Sequence, residues 1–119
     1  MSFAVNDAVS ATLHAALDGI SLRQRVIADN IANVDTPGFR ATSVDFETRL
    51  RAAVADGSVE DGRLLATTHP TQTPIGANGN NVDLRKETLA AMQSQFQFQI
   101  MTRAVSDRMA LVRYASGAQ

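Results

Sequence analysis

A helical pattern of apolar residues fills the first third of the chain and ends at a proline. The spacing covers about three heptads and predicts a long amphipathic helix from Asn6 to Val34. Because the residue before a proline is pushed out of the α region, the helix is expected to end before Thr36-Pro37. The apolar residues recur every seven positions or fill the same stripe: Leu13, Leu17, Ile20, Ile27, Ile31 and Val34.

The tripeptide Thr36-Pro37-Gly38 predicts a specific turn at the end of this helix. Pro37 suits position i+1 of a type II turn, and Gly38 supplies the positive φ that the turn needs at i+2. Phe39 then returns an aromatic ring towards the apolar stripe. We therefore predict a reproducible joint here, not a slack loop.

A second long helix is predicted from Asp83 to Tyr114. Asp83 is a good N-cap, Glu87 complements the positive end of the helix dipole, and Gly117 lies just beyond the expected end. The octet 93–100 alternates with period two, as strands do. We nevertheless predict helix there, because helical spacing also relates Leu89, Met92, Phe96 and Ile100.

This second helix carries no charge over residues 88–102, a run of fifteen residues. A surface helix of a small monomer normally has a charged outer side. Phe98 and Met101 lie off the apolar stripe, so apolar side chains point in more than one direction. One helical hairpin cannot cover two faces of one helix, and we expect other chains to cover the second face.

A stand-alone hairpin is the simpler alternative. In it the second helix packs antiparallel on the first, and Gln97 and Phe98 face water. The packing would run through Leu89, Met92, Phe96 and Val105.

The connector, residues 35–81, holds all three prolines and five of the seven glycines. We predict a short helix from Ser43 to Val54 with Ser43 as N-cap, an extended piece at 64–67, and irregular structure over 71–81. So long a connector is unusual inside a compact domain. We expect it to be disordered in the monomer or ordered by neighbouring subunits.

Composition narrows the function. At 119 residues the chain forms at most one domain, and a net charge of −1 gives no footprint for nucleic acid. The absence of cysteine excludes disulfides and thiolate chemistry. His14 and His69 have no partners at metal-ligand spacing, and no phosphate-binding loop is present. We expect no enzyme activity, cofactor, metal or small-molecule substrate. Neither a secretory signal nor an apolar run long enough to span a membrane is recognisable.

Two segments resemble the axial proteins of the bacterial flagellum, the rod and hook subunits. Residues 27–39 are similar to their N-terminal signature. Residues 79–84 through Glu87, followed by residues 95–99, together with the short length, resemble a proximal rod subunit more than its rod and hook relatives. The family turn motif falls on Asn30, Asn33, Asp35, Thr36, Pro37, Gly38 and Phe39.

The resemblance implies a mainly α fold in which two long terminal helices pack as a hairpin or coiled-coil-like pair and assemble into a helical tube. The N-terminal rod helix would span residues 1–34, the turn and connector 35–81, and the C-terminal rod helix 82–119. The function implied is that of a structural subunit of the proximal rod, part of the driveshaft that transmits torque. Another rod or hook subunit, or a soluble helical adaptor, is the alternative.

The resemblance also implies partners and a location. The partners would be further copies of the chain, other rod proteins, the basal-body membrane ring and the adaptor subunit at the rod base. The chain would leave the cell by flagellar type III export, without a cleaved signal peptide, and assemble in the periplasm. Subunits would pack through Leu13, Leu17, Ile20, Ile27, Ile31 and Val34 on the first helix and Leu89, Met92, Phe96, Gln97, Phe98, Ile100, Met101 and Val105 on the second.

Overall fold

A hairpin of two long helices organises the molecule, as the sequence predicts. The computed structural model describes residues 3–61 and 66–117. The first helix, α1, spans Phe3–Ala32, and the last, α3, spans Leu84–Ala115. The elements between them are β1 (Thr42–Asp45), α2 (Glu47–Asp56), a 3-10 helix (Ser58–Asp61) and β2 (Thr67–Pro70).

The two long helices run antiparallel. Near the joint, Asn30 Nδ2 donates to Glu87 Oε1 at 3.2 Å. Further along, Gln24 Nε2 donates to Gln95 Oε1 at 3.2 Å. As the residue number on α3 rises, its partner on α1 has a lower number. The two helices therefore lie side by side in opposite directions over most of their length. Asp83 caps α3 as predicted, because its side chain accepts a hydrogen bond from Lys86 N at 3.1 Å.

The side of α3 that turns inward is not the predicted one. Leu89, Met92 and Phe96 are 57%, 65% and 64% exposed, and Ile100 is also exposed. Phe98, which should face water in a lone hairpin, instead packs against the core. Six of the buried and half-buried residues of α3 follow their own 4-3 spacing: Glu87, Ala91, Ser94, Phe98, Met101 and Val105.

The connector also differs from its prediction. Thr42–Asp45 forms a strand where a helix was predicted from Ser43, and α2 begins only at Glu47. The strand forms because Val44 buries its side chain in the core while Ser43 and Asp45 face outward, the alternation of a half-buried strand. Phe46, not Ser43, occupies the N-cap position of α2, with no side-chain cap.

Strand β1 pairs antiparallel with β2, with Val44 opposite Thr68. The predicted extended piece at 64–67 overlaps β2 only at Thr67, and Leu64 and Leu65 lie outside the described residues. Residues 71–81 contain no helix or strand, as predicted. Both β1 and α2 pack on α1. The described part of the connector therefore has partners within its own chain, contrary to the expectation that it is disordered in the monomer or ordered by neighbouring subunits.

The connector is held to α1 by Phe46 and Arg23. The Phe46 ring lies against α1 at Gly19, where an added Cβ would come within 2.5 Å of ring atoms. The Arg23 guanidinium lies 4.9 Å from the ring centroid, within cation–π range. Arg23 also donates to both carboxylate oxygens of Glu47, at 2.8 and 2.7 Å, and to Val44 O at 3.0 Å. One side chain thus joins α1 to the end of β1 and the start of α2.

The molecule is flat and open, measuring 62 × 30 × 15 Å. Its radius of gyration is 17.9 Å, whereas a compact domain of this length has about 13.5 Å. Its accessible surface of 8034 Å² exceeds the roughly 6,200 Å² of a typical monomer of this mass. The single chain therefore leaves exposed much surface that a globular protein of its size buries.

Filling the space at Gly19 should loosen the connector. Gly19→Val would drive side-chain atoms into the Phe46 ring, and we expect a loss of about 1–3 kcal/mol in the free energy of unfolding, as for overpacked cores. Urea denaturation measures this. The matched control, Ala28→Val on an exposed position of α1, should cost no more than about 0.7 kcal/mol. Equal losses of unfolding free energy in the two variants would show that the packing of the Phe46 ring does not depend on the absence of a side chain at Gly19.

Candidate functional site

The two sequence motifs meet in space and form the joint between α1 and α3, which is the candidate functional site. The segment that follows α1, residues 33–41, runs beside the segment that precedes α3, residues 76–83. Backbone hydrogen bonds join them from Gly38 N to Asn78 O, at 2.9 Å, and from Asn81 N to Phe39 O, at 3.3 Å.

The predicted turn is present at the predicted residues. Gly38 has a φ of +76°, and Phe39 N donates to Thr36 O at 3.2 Å, which closes the four-residue turn. Before it, Asn33 Nδ2 donates to Asp29 O at 2.8 Å and Thr36 Oγ1 donates to Asn33 Oδ1 at 3.0 Å. These local bonds fix the path of the chain as it leaves α1.

Asn80 fastens the second motif to the end of α1. Its buried side-chain amide donates to Asn33 O and to Thr36 O, both at 2.8 Å. Its Oδ1 accepts from Val82 N at 2.7 Å. The same two carbonyls accept from Thr36 N at 3.0 Å and from Phe39 N at 3.2 Å within the turn, so Asn80 adds a second donor to each and ties the turn to the distant segment.

Asn81 makes a second fastening beside the first. Its Oδ1 accepts from Ala41 N at 2.7 Å, and its backbone carbonyl accepts from Thr73 Oγ1 at 2.6 Å. The two segments approach closely, since a Cβ on Gly79 would lie 3.3 Å from Gly38 Cα, a tight contact. Gly79 also has a positive φ of 80°.

Asn30 and Glu87 form the buried centre of the joint. Asn30 is 1% exposed; its Nδ2 donates to Thr42 O at 2.7 Å and to Glu87 Oε1 at 3.2 Å, and its Oδ1 accepts from Thr42 N at 3.3 Å. One amide thus connects α1, the first residue of β1 and α3. Burial raises the pKa of Glu87, although the hydrogen bond from Asn30 and the charge of Lys86 act in the opposite direction.

The predicted site residues fall into three environments. In the turn motif Asn30 is buried, Asn33 and Phe39 are half-buried, and Asp35, Thr36, Pro37 and Gly38 are exposed. In the predicted packing set, the α1 members are buried or half-buried within the chain, as are Phe98, Met101 and Val105. The exposed members are Leu89, Met92, Phe96, Gln97 and Ile100.

The groups that form the joint make a structural contact between its two segments. It consists of amide, hydroxyl and backbone hydrogen bonds around one carboxyl group. Across residues 3–61 and 66–117, no three histidine, aspartate or glutamate side chains are grouped to hold a metal ion. None of the described helices combines the length and apolar character needed to cross a membrane.

The second half of α1 and most of the first segment of the joint match a known protein family. The family model for flagella basal body rod proteins matches residues 15–40. FlgB of Borreliella burgdorferi is 33% identical over 109 residues, which cover 75% of this chain and 81% of that protein. FlgB of Escherichia coli is 32% identical, covering 84% of this chain and 88% of that protein. FlgB of Bacillus subtilis is 31% identical, with 81% and 83% covered.

The chain belongs to the FlgB family of flagellar basal body rod proteins. It is a structural subunit of the flagellar rod and is located in the basal body. The predictions of family and function are confirmed, and FlgB relatives do not support the alternative of a soluble adaptor.

Sequence reasoning missed several residues of this FlgB-family joint. From the sequence, Asn80 and Asn81 stand out only within the segment that resembles a rod subunit. For Glu87 the sequence predicts only an interaction with the positive end of the helix dipole. Two consecutive asparagines between Gly79 and a helix start are a usable signal, because such side chains bond to nearby backbone groups. The burial of Glu87 has no comparable local signal.

The turn at Gly38 can be tested by substitution. A Cβ at Gly38 meets no atom within 4 Å, so the cost of Gly38→Val should come from the backbone alone, at about 1–3 kcal/mol. We expect reduced unfolding free energy and impaired rod assembly. Gly38→Asn is the control, since asparagine tolerates positive φ better. Normal stability and motility with valine would contradict the turn assignment.

Glu87 predicts a pH dependence of stability. Because its pKa is raised in the folded state, the unfolded chain ionises first as pH rises. The free energy of unfolding therefore falls between the ordinary glutamate pKa, about 4.3, and the higher folded-state pKa, and stays lower above it. Glu87→Gln keeps an acceptor for Asn30 and removes this fall.

Urea denaturation across this pH window measures the difference between Glu87→Gln and wild type, which cancels contributions common to both. One of these is Glu47, whose pKa Arg23 lowers, so that its stabilisation is lost as the pH falls. We expect the gain of Glu87→Gln over wild type to grow as pH rises. The control is Glu60→Gln at an exposed position. If the stability gain of Glu87→Gln over wild type shrank with rising pH, that result would contradict the interpretation of Glu87 as a buried, weakly solvated carboxyl.

Proposed function

We propose that this chain is a proximal rod subunit whose two helices lie in the wall of the tube and transmit torque. The observation that carries the proposal is the outward stripe of α3. We use this name for Leu89, Met92, Phe96 and Ile100, which are exposed within a segment that carries no charge over residues 88–102.

Burial of the outward stripe would be strongly favourable. Full burial of a large apolar side chain contributes about 1.5–3 kcal/mol. Covering the exposed halves of four such side chains contributes roughly 3–6 kcal/mol for each subunit. This is a large gain compared with the stability of a small domain.

Contacts between subunits of a rod are heterologous, because identical subunits related by a screw axis use different surfaces on each side. A helix covered on its inward side by α1 and on its outward side by a neighbour resists bending and twisting. The hydrogen-bonded joint keeps α1 and α3 from turning independently. Torque can then pass through paired helices instead of through a flexible connector.

The finer identity of partners and location follows from the family resemblance. Its partners are further copies, other rod proteins, the membrane ring and the adaptor subunit at the rod base. The chain reaches the periplasmic part of the basal body by type III export without a cleaved signal peptide, and its role there is structural, without catalysis. Both motifs and the FlgB relatives support this assignment.

A charge in the outward stripe tests subunit packing. Phe96 is 64% exposed, so Phe96→Glu should change the stability of the free chain by about 0.5 kcal/mol or less. In the rod wall the same carboxylate would be buried without a partner, at a cost of several kcal/mol. We expect a folded subunit that does not enter rods, measured by thermal denaturation, basal-body purification and swimming.

Two further variants at this surface serve as controls. Phe96→Leu keeps an apolar group and should swim. Phe98→Glu acts differently, because Phe98 packs against the core and its substitution should unfold the free chain. Phe98→Glu therefore does not test packing between subunits, although the sequence alone predicts that Phe98 faces water in a lone hairpin. Wild-type swimming by Phe96→Glu would show that the outward stripe remains in water.

A further inference from the structure

An apolar groove opens between α1, α2 and α3. Its volume is about 250 Å³, and it is lined by Ala16, Ile20, Phe46, Glu47, Leu50, Gln97, Ile100 and Met101. We call it the inter-helix groove. Ile100 belongs both to this groove and to the outward stripe, so the two surfaces are continuous.

The size and lining of the inter-helix groove suit an aromatic ring. An apolar cavity of about 150 Å³ is large enough to hold benzene, so a groove of about 250 Å³ accepts a phenol ring. The walls from Ala16, Ile20, Phe46 and Leu50 would contact both ring faces. Contact between water and the apolar walls of this groove costs free energy. A side chain inserted into the groove would displace that water and remove the cost.

The rim of the groove adds a polar requirement. Glu47 stands there, and Arg23 lowers the pKa of this carboxyl by hydrogen bonding to it, so the rim carries a carboxylate at neutral pH. A carboxylate has about four lone-pair sites. Arg23 donates to both oxygens of Glu47 and Phe46 N donates to Oε1 at 3.4 Å, which leaves at most one site for a further donor. The best guest therefore has an apolar ring and a hydroxyl donor at its tip.

The chain itself carries such a group. Tyr114 is its only tyrosine, and it is 80% exposed near the end of α3. We propose that Tyr114 of one copy inserts into the inter-helix groove of a second copy, with its hydroxyl directed to the rim at Glu47. This contact names a specific pair of surfaces for the self-association proposed above and rests on that proposal.

The contact must join different copies. Tyr114 lies thirteen positions beyond Met101, a groove residue, and that distance along a helix is about 20 Å. The groove and Tyr114 lie on different parts of the chain's surface. A contact between the groove of one copy and Tyr114 of another is therefore heterologous. Every copy then offers one free groove and one free tyrosine, and the row of copies grows without closing.

Disulfide cross-linking tests the contact directly, because the chain has no cysteine of its own. Cells lacking their own copy would express two single variants together, Leu50→Cys and Tyr114→Cys. Basal bodies from swimming cells are then treated with oxidised glutathione. We expect a cross-linked dimer on a gel. Ala52→Cys, at an exposed position of α2 outside the groove, replaces Leu50→Cys in the control and should give none.

A variant that fills the groove provides a second, independent measurement. Gln97→Phe places a ring at the exposed rim position, so the free chain should melt at or above the wild-type temperature while rods and swimming are lost. Tyr114→Phe keeps the ring and should swim better than Tyr114→Ala. Wild-type swimming by Gln97→Phe would overturn the proposal even if Tyr114→Cys itself prevents rod formation.

The outcomes also separate this contact from the proposed function. Swimming cells without the Leu50–Tyr114 cross-link, or with equal cross-linking in the Ala52 control, would overturn the contact and leave the rod function in place. If the unmodified chain failed to restore rods to cells lacking their own copy, the proposed function itself would fail, and the contact with it.

Discussion

The buried amides of the joint hold the two halves of the molecule together. Asn80 donates to the carbonyls of Asn33 and Thr36, forty-seven and forty-four positions earlier in the chain. Asn30 in turn binds Thr42 and Glu87. Loss of the Asn30 amide would remove the bonds to Thr42 and to the buried Glu87 carboxyl, at about 1–3 kcal/mol for each buried group left without a partner. Loss of the Asn80 amide would remove the bonds from the distant segment, while the carbonyls of Asn33 and Thr36 keep those from Thr36 N and Phe39 N. Together with the backbone hydrogen bonds from Gly38 N to Asn78 O and from Asn81 N to Phe39 O, these bonds hold the start of α3 beside the end of α1.

What could be predicted from the sequence was local in origin. The long helices, the cap at Asp83 and the turn at Gly38 depend on spacing, capping and φ preferences within a few residues. The inward side of α3 was not predictable in this way, because two apolar stripes on that helix have helical spacing. The stripe of larger side chains is expected to face inward from its spacing, yet it is exposed, whereas the small Ser94 is buried. Strand β1 was missed because Val44 is held by tertiary packing, which overrides local helix preference.

The pairing of α1 and α3 combines buried polar groups with apolar contacts. Glu87 and Ser94 are buried between the helices, and Gln24 bonds to Gln95 across them. The Ser94 hydroxyl has no hydrogen-bond partner among the described residues. Buried polar groups contribute less stability than apolar ones, but the Asn30–Glu87 and Gln24–Gln95 bonds can fix helix register, since a shifted pairing would break them.

Large apolar side chains therefore lie on both the inward and the outward side of α3, unlike those of a surface helix of a monomer. Its inward side includes a carboxyl and a hydroxyl, and its outward stripe consists of large apolar side chains. Such a helix stabilises the single chain weakly and leaves much of its hydrophobic free energy for contacts between chains. The inward groups select one arrangement of the hairpin, and the outward groups favour its association. This division suits a subunit that must have one fixed shape before it joins an assembly.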